Sequence, residues 1–231
     1  IMTCMDGFIT SHAVENITLI EDEAVKNFVG EYNPEHYLLN ENETMAVGPY
    51  AVSNYCMEAK RAQAQGMMNA KQVILDVAKE FEEISGRKYG LFEKYKLDDA
   101  DFAVVSIGSA SGTAKDAVDI LRNKGIKAGL LKVRVFRPFP GEDMAKALQG
   151  CKAIAIMDRC ESYSANGGPL GAELMAALYR NKNKAEVINI VYGLSGRDVR
   201  VEDFEKVFED LADIAENGVK DSQYRYLGLR E

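Results

Sequence analysis

Phe102-Ala103-Val104-Val105-Ser106-Ile107-Gly108-Ser109-Ala110-Ser111-Gly112-Thr113 runs straight into Ala114-Lys115-Asp116-Ala117-Val118-Asp119-Ile120-Leu121-Arg122-Asn123-Lys124-Gly125. The first six residues form a continuous apolar, β-rich run, which suits a strand buried on both faces. Gly108 to Gly112 is a small-residue turn. From Thr113 to Lys124, Ala114, Ala117, Val118 and Leu121 fall on one face at helical spacing. Thr113 with Asp116 resembles a capping box, and Gly125 supplies the stop. The unit is strand, tight turn, helix.

The same unit recurs downstream. A second strand is expected over 128–135, ended by Pro138 and Pro140, with a short helix over 142–148. A third strand is expected over 153–157. Pro169 then opens a helix to about 179, since proline favours the first helical position. A fourth strand is expected over 187–192. A last helix over 201–215 turns Phe204, Val207, Phe208, Leu211 and Ile214 inward. Such alternation predicts an α/β fold, a mostly parallel sheet with helices on both faces. After Gly218 the tail is polar apart from Tyr224, Tyr226 and Leu227, and is expected to drape over another surface or stay disordered.

Upstream of about Leu97 the pattern differs. Met67, Ala70, Ile74, Val77, Phe81 and Ile84 make a single seam on a long helix over 55–85, closed by Gly86, with Arg87 and Lys88 near its negative end. Such a seam needs a partner surface. Residues 21–43 hold seven acids against the single base Lys26, with Pro34 and then Pro49 interrupting the apolar content. They read as a long, mostly irregular strap. Ile1-Met2-Thr3-Cys4-Met5 reads like the inside of a buried strand and like a cut chain.

The 231 residues, 47% hydrophobic and 28% charged, are enough for a packed core. A net charge of -8 without a Lys/Arg run argues against a nucleic-acid partner. No apolar run approaches a membrane span. Cys4, Cys56, Cys151 and Cys160 lack the spacing of zinc or iron–sulfur ligands, so free thiols in a reducing cytoplasm are expected. With His12 and His36 as the histidines, both distant from Ser195, hydrolase chemistry is a poor fit.

Several loops follow the strands, where ligands of parallel sheets gather. Gly108 to Thr113 suits a phosphate at a helix start, or a plain serine-capped turn; it lacks both the dinucleotide fingerprint and the Gly-Lys-Ser/Thr of a P-loop. Arg137, between Phe136 and Pro138, suits an anion contact or a structural pair with an acid such as Asp158. Asp158-Arg159 with Asn166-Gly167-Gly168-Pro169 suits close backbone approach to a ligand, or a βα turn. Gly193-Leu194-Ser195-Gly196-Arg197-Asp198 is not a nucleophile elbow. Asp6-Gly7-Phe8-Ile9-Thr10-Ser11-His12 suits a cofactor-facing loop, or a capped turn.

These stretches in this order resemble the alpha chain of pyruvate:ferredoxin oxidoreductase, of the 2-oxoacid:ferredoxin oxidoreductase family. The resemblance rests on Asp6-Gly7-Phe8-x-Thr10-Ser11-His12, Gly86-Arg87-x-Tyr89, Gly108-Ser109, Phe136-Arg137-Pro138-Phe139-Pro140, Asp158-Arg159 and Gly193-Leu194-x-Gly196-Arg197-Asp198. It implies a carboxy-terminal portion of that chain. Residues 1–54 would be the tail of a pyrimidine-binding thiamine domain and a strap. Residues 55–97 would be a long linker helix, and 98–231 a domain similar to the transketolase carboxy-terminal domain.

The implied reaction converts pyruvate, coenzyme A and oxidised ferredoxin to acetyl-CoA, CO2 and reduced ferredoxin in anaerobic metabolism. The resemblance places thiamine diphosphate, magnesium and iron–sulfur clusters in the intact complex, with no cofactor on this stretch. The activating glutamate would lie upstream, diphosphate and magnesium ligands on the beta chain, and cluster cysteines on other chains. Implied partners are the beta, gamma and delta chains and, indirectly, ferredoxin. The stretch alone would be structural and inactive. Thr10, Ser11 and His12 are the nearest catalytic candidates, and Ser109, Arg137 and Arg197 are anion or interface candidates. Two other readings stand: a chain of a branched-chain or 2-oxoglutarate enzyme, and a stand-alone flavodoxin-like phosphate-binding module.

Overall fold

A computed structural model describes the chain except Phe8, Ala46, Val47, Pro49, Ala51 and Glu231. It divides into two compact units, one of Ile1–Glu15 with Leu91–Glu231 and one of Asn16–Gly90.

The larger unit is a six-stranded sheet in the order β1-β3-β2-β4-β5-β6. The strands are β1 (Phe92–Tyr95), β2 (Phe102–Ile107), β3 (Ala128–Val133), β4 (Ala153–Asp158), β5 (Glu186–Val191) and β6 (Tyr224–Tyr226). β2 to β6 run parallel, and β1 pairs antiparallel with β3. The crossover helices are α3 (Ala110–Asn123), α4 (Gly141–Ala147), α5 (Pro169–Arg180) and α6 (Val201–Asn217).

Strand residues alternate between two cores, as the period of two requires. Val104, Leu130, Met157 and Ile190 pack with Leu121 of α3 and Phe204 and Phe208 of α6. Val105, Leu131 and Ile156 point the other way, onto Met144 of α4 and Leu170 and Leu174 of α5. Each fully buried large side chain here contributes roughly 1.5–3 kcal/mol of burial free energy. The predicted α/β fold with helices on both faces is what forms.

α3 begins three residues earlier than its capping pattern suggests. Gly108, at φ 81°, turns the chain at once, and Ala110 and Ser111 enter the helix buried against the sheet. The Ser111 hydroxyl lies 2.9 Å from that of Ser106 beneath it, so small side chains at the helix start permit that close approach. Thr113 and Asp116 lie inside the helix, and their capping pattern goes unused.

Three further expectations differ. Ile1 to Met5 are exposed and form no strand; among the described residues no strand pairs with them. Phe92–Tyr95, within the span read as linker helix, is an edge strand of four residues, too short to stand out by period. The tail after Gly218 adds β6 to the sheet, with Leu227 N–H donating to Val191 O at 2.9 Å. Isolated three-residue strands carry no sequence signal, and this one forms because β5 offers a free edge.

In the smaller unit, α1 (Asp22–Val29) forms within the stretch expected to be irregular, and α2 (Cys56–Ser85) follows. Asp22 and Glu23 sit in the first turn of α1, where the helix dipole favours acids, and Gly30 ends it. Phe28 meets Phe81 edge to face at 5.9 Å between ring centroids. α2 stops at Gly86 in the left-handed region, where the Gly86 N–H reaches Glu82 O at 2.8 Å. Arg87 stacks over the Phe81 ring at 5.6 Å.

The seam of α2 drifts from the expected line. Ala70, Lys71, Ile74, Leu75, Ala78, Phe81, Glu82 and Ser85 are half-buried, with Cys56 at the helix start, while Met67, Val77 and Ile84 are exposed. A strict 3-4 alternation averages 3.5 residues per turn, and an α-helix turns in 3.6, so a straight helix rotates away from such a seam. Pro49, read as interrupting the strap, lies outside the described residues, as does Phe8. Among the described residues no helix is long and apolar enough to cross a membrane.

Candidate functional site at the carboxyl ends of the strands

β2 lies between β3 and β4, so the chain leaves its carboxyl end toward one side and later returns on the other. This is the topological switch point, where a crevice opens between diverging loops. The Gly108-Ser109 loop forms one wall and the Asp158-Arg159 loop the other. A cavity of about 390 Å³ lies between them, lined by both loops and by Phe136, Met157, Leu170 and Tyr192.

The carboxylate of Asp6 enters this crevice. Its Oδ2 accepts the Ser109 hydroxyl at 2.7 Å and its Oδ1 accepts a guanidinium N–H of Arg159 at 2.7 Å. The same Oδ2 accepts the backbone N–H groups of Ile9 at 3.1 Å and Thr10 at 3.4 Å. One carboxylate thus closes its own turn and ties that turn to loops more than a hundred residues away. The Ser109 hydroxyl holds the Asp6 carboxyl below its usual range, helped by the two backbone N–H groups and the Arg159 charge, against the opposing effect of burial. Ser109 occupies the cap position of α3, yet its hydroxyl caps nothing there, being spent on Asp6.

Arg159 is fixed in turn by Gly193 O, which accepts from its Nε at 3.1 Å. Below it, burial pushes the Tyr192 phenol up to about 12, so it stays protonated as part of the floor. A side cavity of about 110 Å³ extends from Ser109 and Arg159 to Arg197 and Asp198.

The neighbouring helix start has no anion position to offer. Buried Asp158 accepts the N–H of Leu170 at 3.0 Å and of Gly171 at 2.8 Å. Asn189 Nδ2 donates to Asp158 at 2.8 Å and to Ile156 O at 2.8 Å, and its Oδ1 accepts Gly168 N–H at 2.7 Å. The glycines serve this network: a Cβ on Gly168 would lie 2.3 Å from Asp158 Cγ, and one on Gly171 2.5 Å from Asn189 Cγ. Of the two readings of Asn166 to Pro169, the structure carries the turn built around its own side chains.

The residues singled out by sequence divide. Ser109 lines both cavities and Arg197 lines the smaller one. Arg137 is elsewhere: it bonds Glu173 at 2.6 Å and stacks on Phe136 at 4.3 Å, and Asp158 is not its partner. Thr10, Ser11 and His12 sit on an exposed turn, with Ser11 Oγ 2.6 Å from His12 Nδ1. Asp6 and Arg159 stood inside quoted motifs without being named as site residues. Nothing local distinguishes them, because their pairing spans the chain. Among the described residues no group of three His, Cys, Asp or Glu side chains gathers as a metal would need.

Two family profiles match the chain: "Pyruvate flavodoxin/ferredoxin oxidoreductase, thiamine diP-bdg" over residues 1–79 and "Pyruvate:ferredoxin oxidoreductase core domain II" over residues 100–204. Over all of its length the chain is 43% identical to the pyruvate synthase subunit PorA of Thermotoga maritima and 39% identical to that of Methanocaldococcus jannaschii. The chain belongs to the 2-oxoacid:ferredoxin oxidoreductase family. Within that family it is also 37% identical to the ketoisovalerate oxidoreductase subunit VorA of Pyrococcus abyssi, over 99% of its length. It spans 58% of the length of each of these relatives. A solved 2-oxoglutarate:ferredoxin oxidoreductase from Magnetococcus marinus aligns with a TM-score of 0.42 at 19% identity, over 58% of this chain and 21% of that one.

Proposed function

We propose that this chain is part of the alpha chain of a pyruvate:ferredoxin oxidoreductase, which converts pyruvate, coenzyme A and oxidised ferredoxin to acetyl-CoA, CO2 and reduced ferredoxin. The carrying observation is the end-to-end identity of 43% to a pyruvate synthase subunit. In this reading residues 98–231 are a transketolase carboxy-terminal-like domain, 1–54 the tail of a pyrimidine-binding domain with its strap, and 55–97 the linker.

Thiamine diphosphate does not fit this stretch by itself. The Asp6 carboxylate in the crevice is already committed to Ser109 and Arg159, and the Asp158 carboxylate to α5. Thr10, Ser11 and His12 line neither crevice cavity. The role assigned to the stretch is architectural: it holds the sheet, and through Asp6 it fixes the turn that presents Thr10 to His12 toward the active-site region of the assembly. The cofactor, the clusters and the beta, gamma and delta chains belong to the rest of a cytoplasmic complex.

The test is to reconstitute the whole alpha chain with its partner chains and follow ferredoxin reduction. Reduction that needs both pyruvate and coenzyme A supports the reading, and its absence from a folded, cofactor-loaded assembly removes it. The 37% identity to a ketoisovalerate subunit favours one second reading, a branched-chain 2-oxoacid enzyme. Substrate profiling of the same assembly separates the two.

A further inference from the structure

We propose that Asn166 is a self-modification site, where the Gly167 backbone nitrogen closes on the Asn166 side chain to give iso-aspartate and thereby loosens the start of α5. The sequence holds two Asn-Gly pairs, Asn166-Gly167 and Asn217-Gly218. Glycine in second place leaves the attacking nitrogen unshielded, since it carries no Cβ. By sequence the two pairs are equivalent. The fold makes them different. Asn217 is the last residue of α6, its Nδ2 donates to Asp213 Oδ1 at 2.7 Å, and the Gly218 N–H donates to Ile214 O at 2.8 Å. Helical backbone turns that nitrogen away from Asn217 Cγ, and the two bonds keep both groups in place. Asn166 lies instead in the turn between β4 and α5. Neither its side-chain amide nor the Gly167 N–H has a hydrogen-bond partner among the described residues. Both residues line a cavity of about 530 Å³, which leaves room for water.

Water is the only co-reactant. Gly167 N gives its proton to solvent and bonds to Asn166 Cγ. The Cγ–Nδ2 bond breaks, and the nitrogen leaves as ammonia with a proton from solvent. Water then opens the cyclic imide, and nothing is oxidised or reduced. Opening at Cγ gives aspartate. Opening at the main-chain carbonyl gives iso-aspartate, with the side-chain methylene now part of the backbone. The bonds just beyond are tight. Gly167 O accepts the Ser162 hydroxyl at 2.8 Å, and the Gly168 N–H donates to Asn189 Oδ1 at 2.7 Å. A Cβ would lie 2.6 Å from Asn189 Oδ1 at Gly167 and 2.3 Å from Asp158 Cγ at Gly168, so neither glycine has space to move inward. An extra backbone carbon before them therefore pushes them outward and breaks the bond from Gly168 to Asn189. This inference is independent of the overall reaction.

The experiment incubates the full chain in mildly alkaline heavy-oxygen water, once folded and once unfolded in urea. Peptide mapping by mass spectrometry follows each Asn-Gly pair, and electron-transfer fragmentation separates iso-aspartate from aspartate. In urea the two pairs are expected to convert at similar rates. In the folded chain Asn166 is expected to convert several-fold faster than Asn217, with iso-aspartate among the products. Equal rates for the two pairs in the folded chain overturn the site. So does a folded Asn166 that stays intact for as long as the unfolded chain takes to convert. Hydrogen exchange reads the consequence at the Gly168 amide. It is expected to exchange several-fold faster in the converted chain than in Asn166→Asp, which carries the new charge on an ordinary backbone. Equal exchange in the two overturns the loosening of α5.

Discussion

Asn189 Nδ2 donates to Asp158 Oδ2 at 2.8 Å, joining the end of β4 to the middle of β5 beneath the start of α5. Both side chains are buried, and every polar atom of the pair is used. The acid caps α5 through Leu170 and Gly171, while the amide spans Ile156 O and Gly168 N–H. Two strands and a helix are thereby locked in one register.

Removing either partner should be costly. Asp158→Ala leaves the N–H groups of Leu170 and Gly171 without an acceptor inside the protein. A loss of about 3 kcal/mol is expected from these unsatisfied donors and the lost cap. Asn189→Ala should cost about 2 kcal/mol for the same reason. Because the side chains share partners, the double variant should be less destabilised than the sum of the two. Urea denaturation of the four proteins measures this, and simple additivity would remove the network as the explanation.

The Asp6 latch should release in acid. Its carboxyl titrates below the ordinary value near 3.8 because Ser109, two backbone N–H groups and Arg159 favour the charged form. A depressed folded value stabilises docking above the unfolded value, and that contribution is lost as pH falls through the folded one. As pH falls through that lowered value the stabilities of the wild type and Asp6→Asn should therefore converge, and near pH 7 the wild type should be the more stable. Comparing denaturation of the two across this range isolates Asp6 from the other carboxylates. A difference that stays constant throughout the acid limb would falsify the latch.

Much of the sheet was legible because its strands are continuous apolar runs separated by helices of clear period. Phe102–Ile107 was delimited to the residue by the change from β-rich residues to Gly108. What escaped was short or distant. Phe92–Tyr95 and Tyr224–Tyr226 exist as strands only because β3 and β5 offer free edges, a tertiary cause with no local trace. The site shows the same limit. Ser109 was legible as a residue after a strand. Its partner Asp6 is 103 positions away, and no spacing rule links them.

The thiols should separate by reactivity. Cys151 is buried, and burial together with Asp101 pushes its thiol up to about 11. Cys160 is exposed, but burial of its sulfur and the charges of Asp158 and Glu161 raise it as well. Cys4 is exposed on the amino-terminal segment. Because the thiolate is the reactive form, labelling with iodoacetamide at pH 8 should modify Cys4 first, Cys160 more slowly, and Cys151 only on unfolding. Peptide mass mapping over time reads the order. Early modification of Cys151 would show that the α4–β4 region opens readily.

The last strand should depend on one acid. The Glu161 carboxylate accepts the Tyr224 hydroxyl at 2.8 Å and the Tyr226 hydroxyl on its other oxygen. Both phenols come from β6, so Glu161 holds that strand against β5 from outside the backbone ladder. The Tyr226 bond is the main reason its carboxyl lies below the usual range, followed by the Tyr163 N–H and the Tyr224 hydroxyl. Its contribution is thus present at neutral pH and fades as pH falls through that lowered value. Replacing Glu161 by Ala should loosen β6 and leave the rest of the sheet intact, since β2 to β5 have their own cores. Hydrogen exchange is the suitable measure. The amides of Asn189 and Leu227, which bond Gln223 O and Val191 O, should exchange several-fold faster in the variant, with those of β2 unchanged. Equal protection of Leu227 in both proteins would mean that the backbone ladder alone retains the strand.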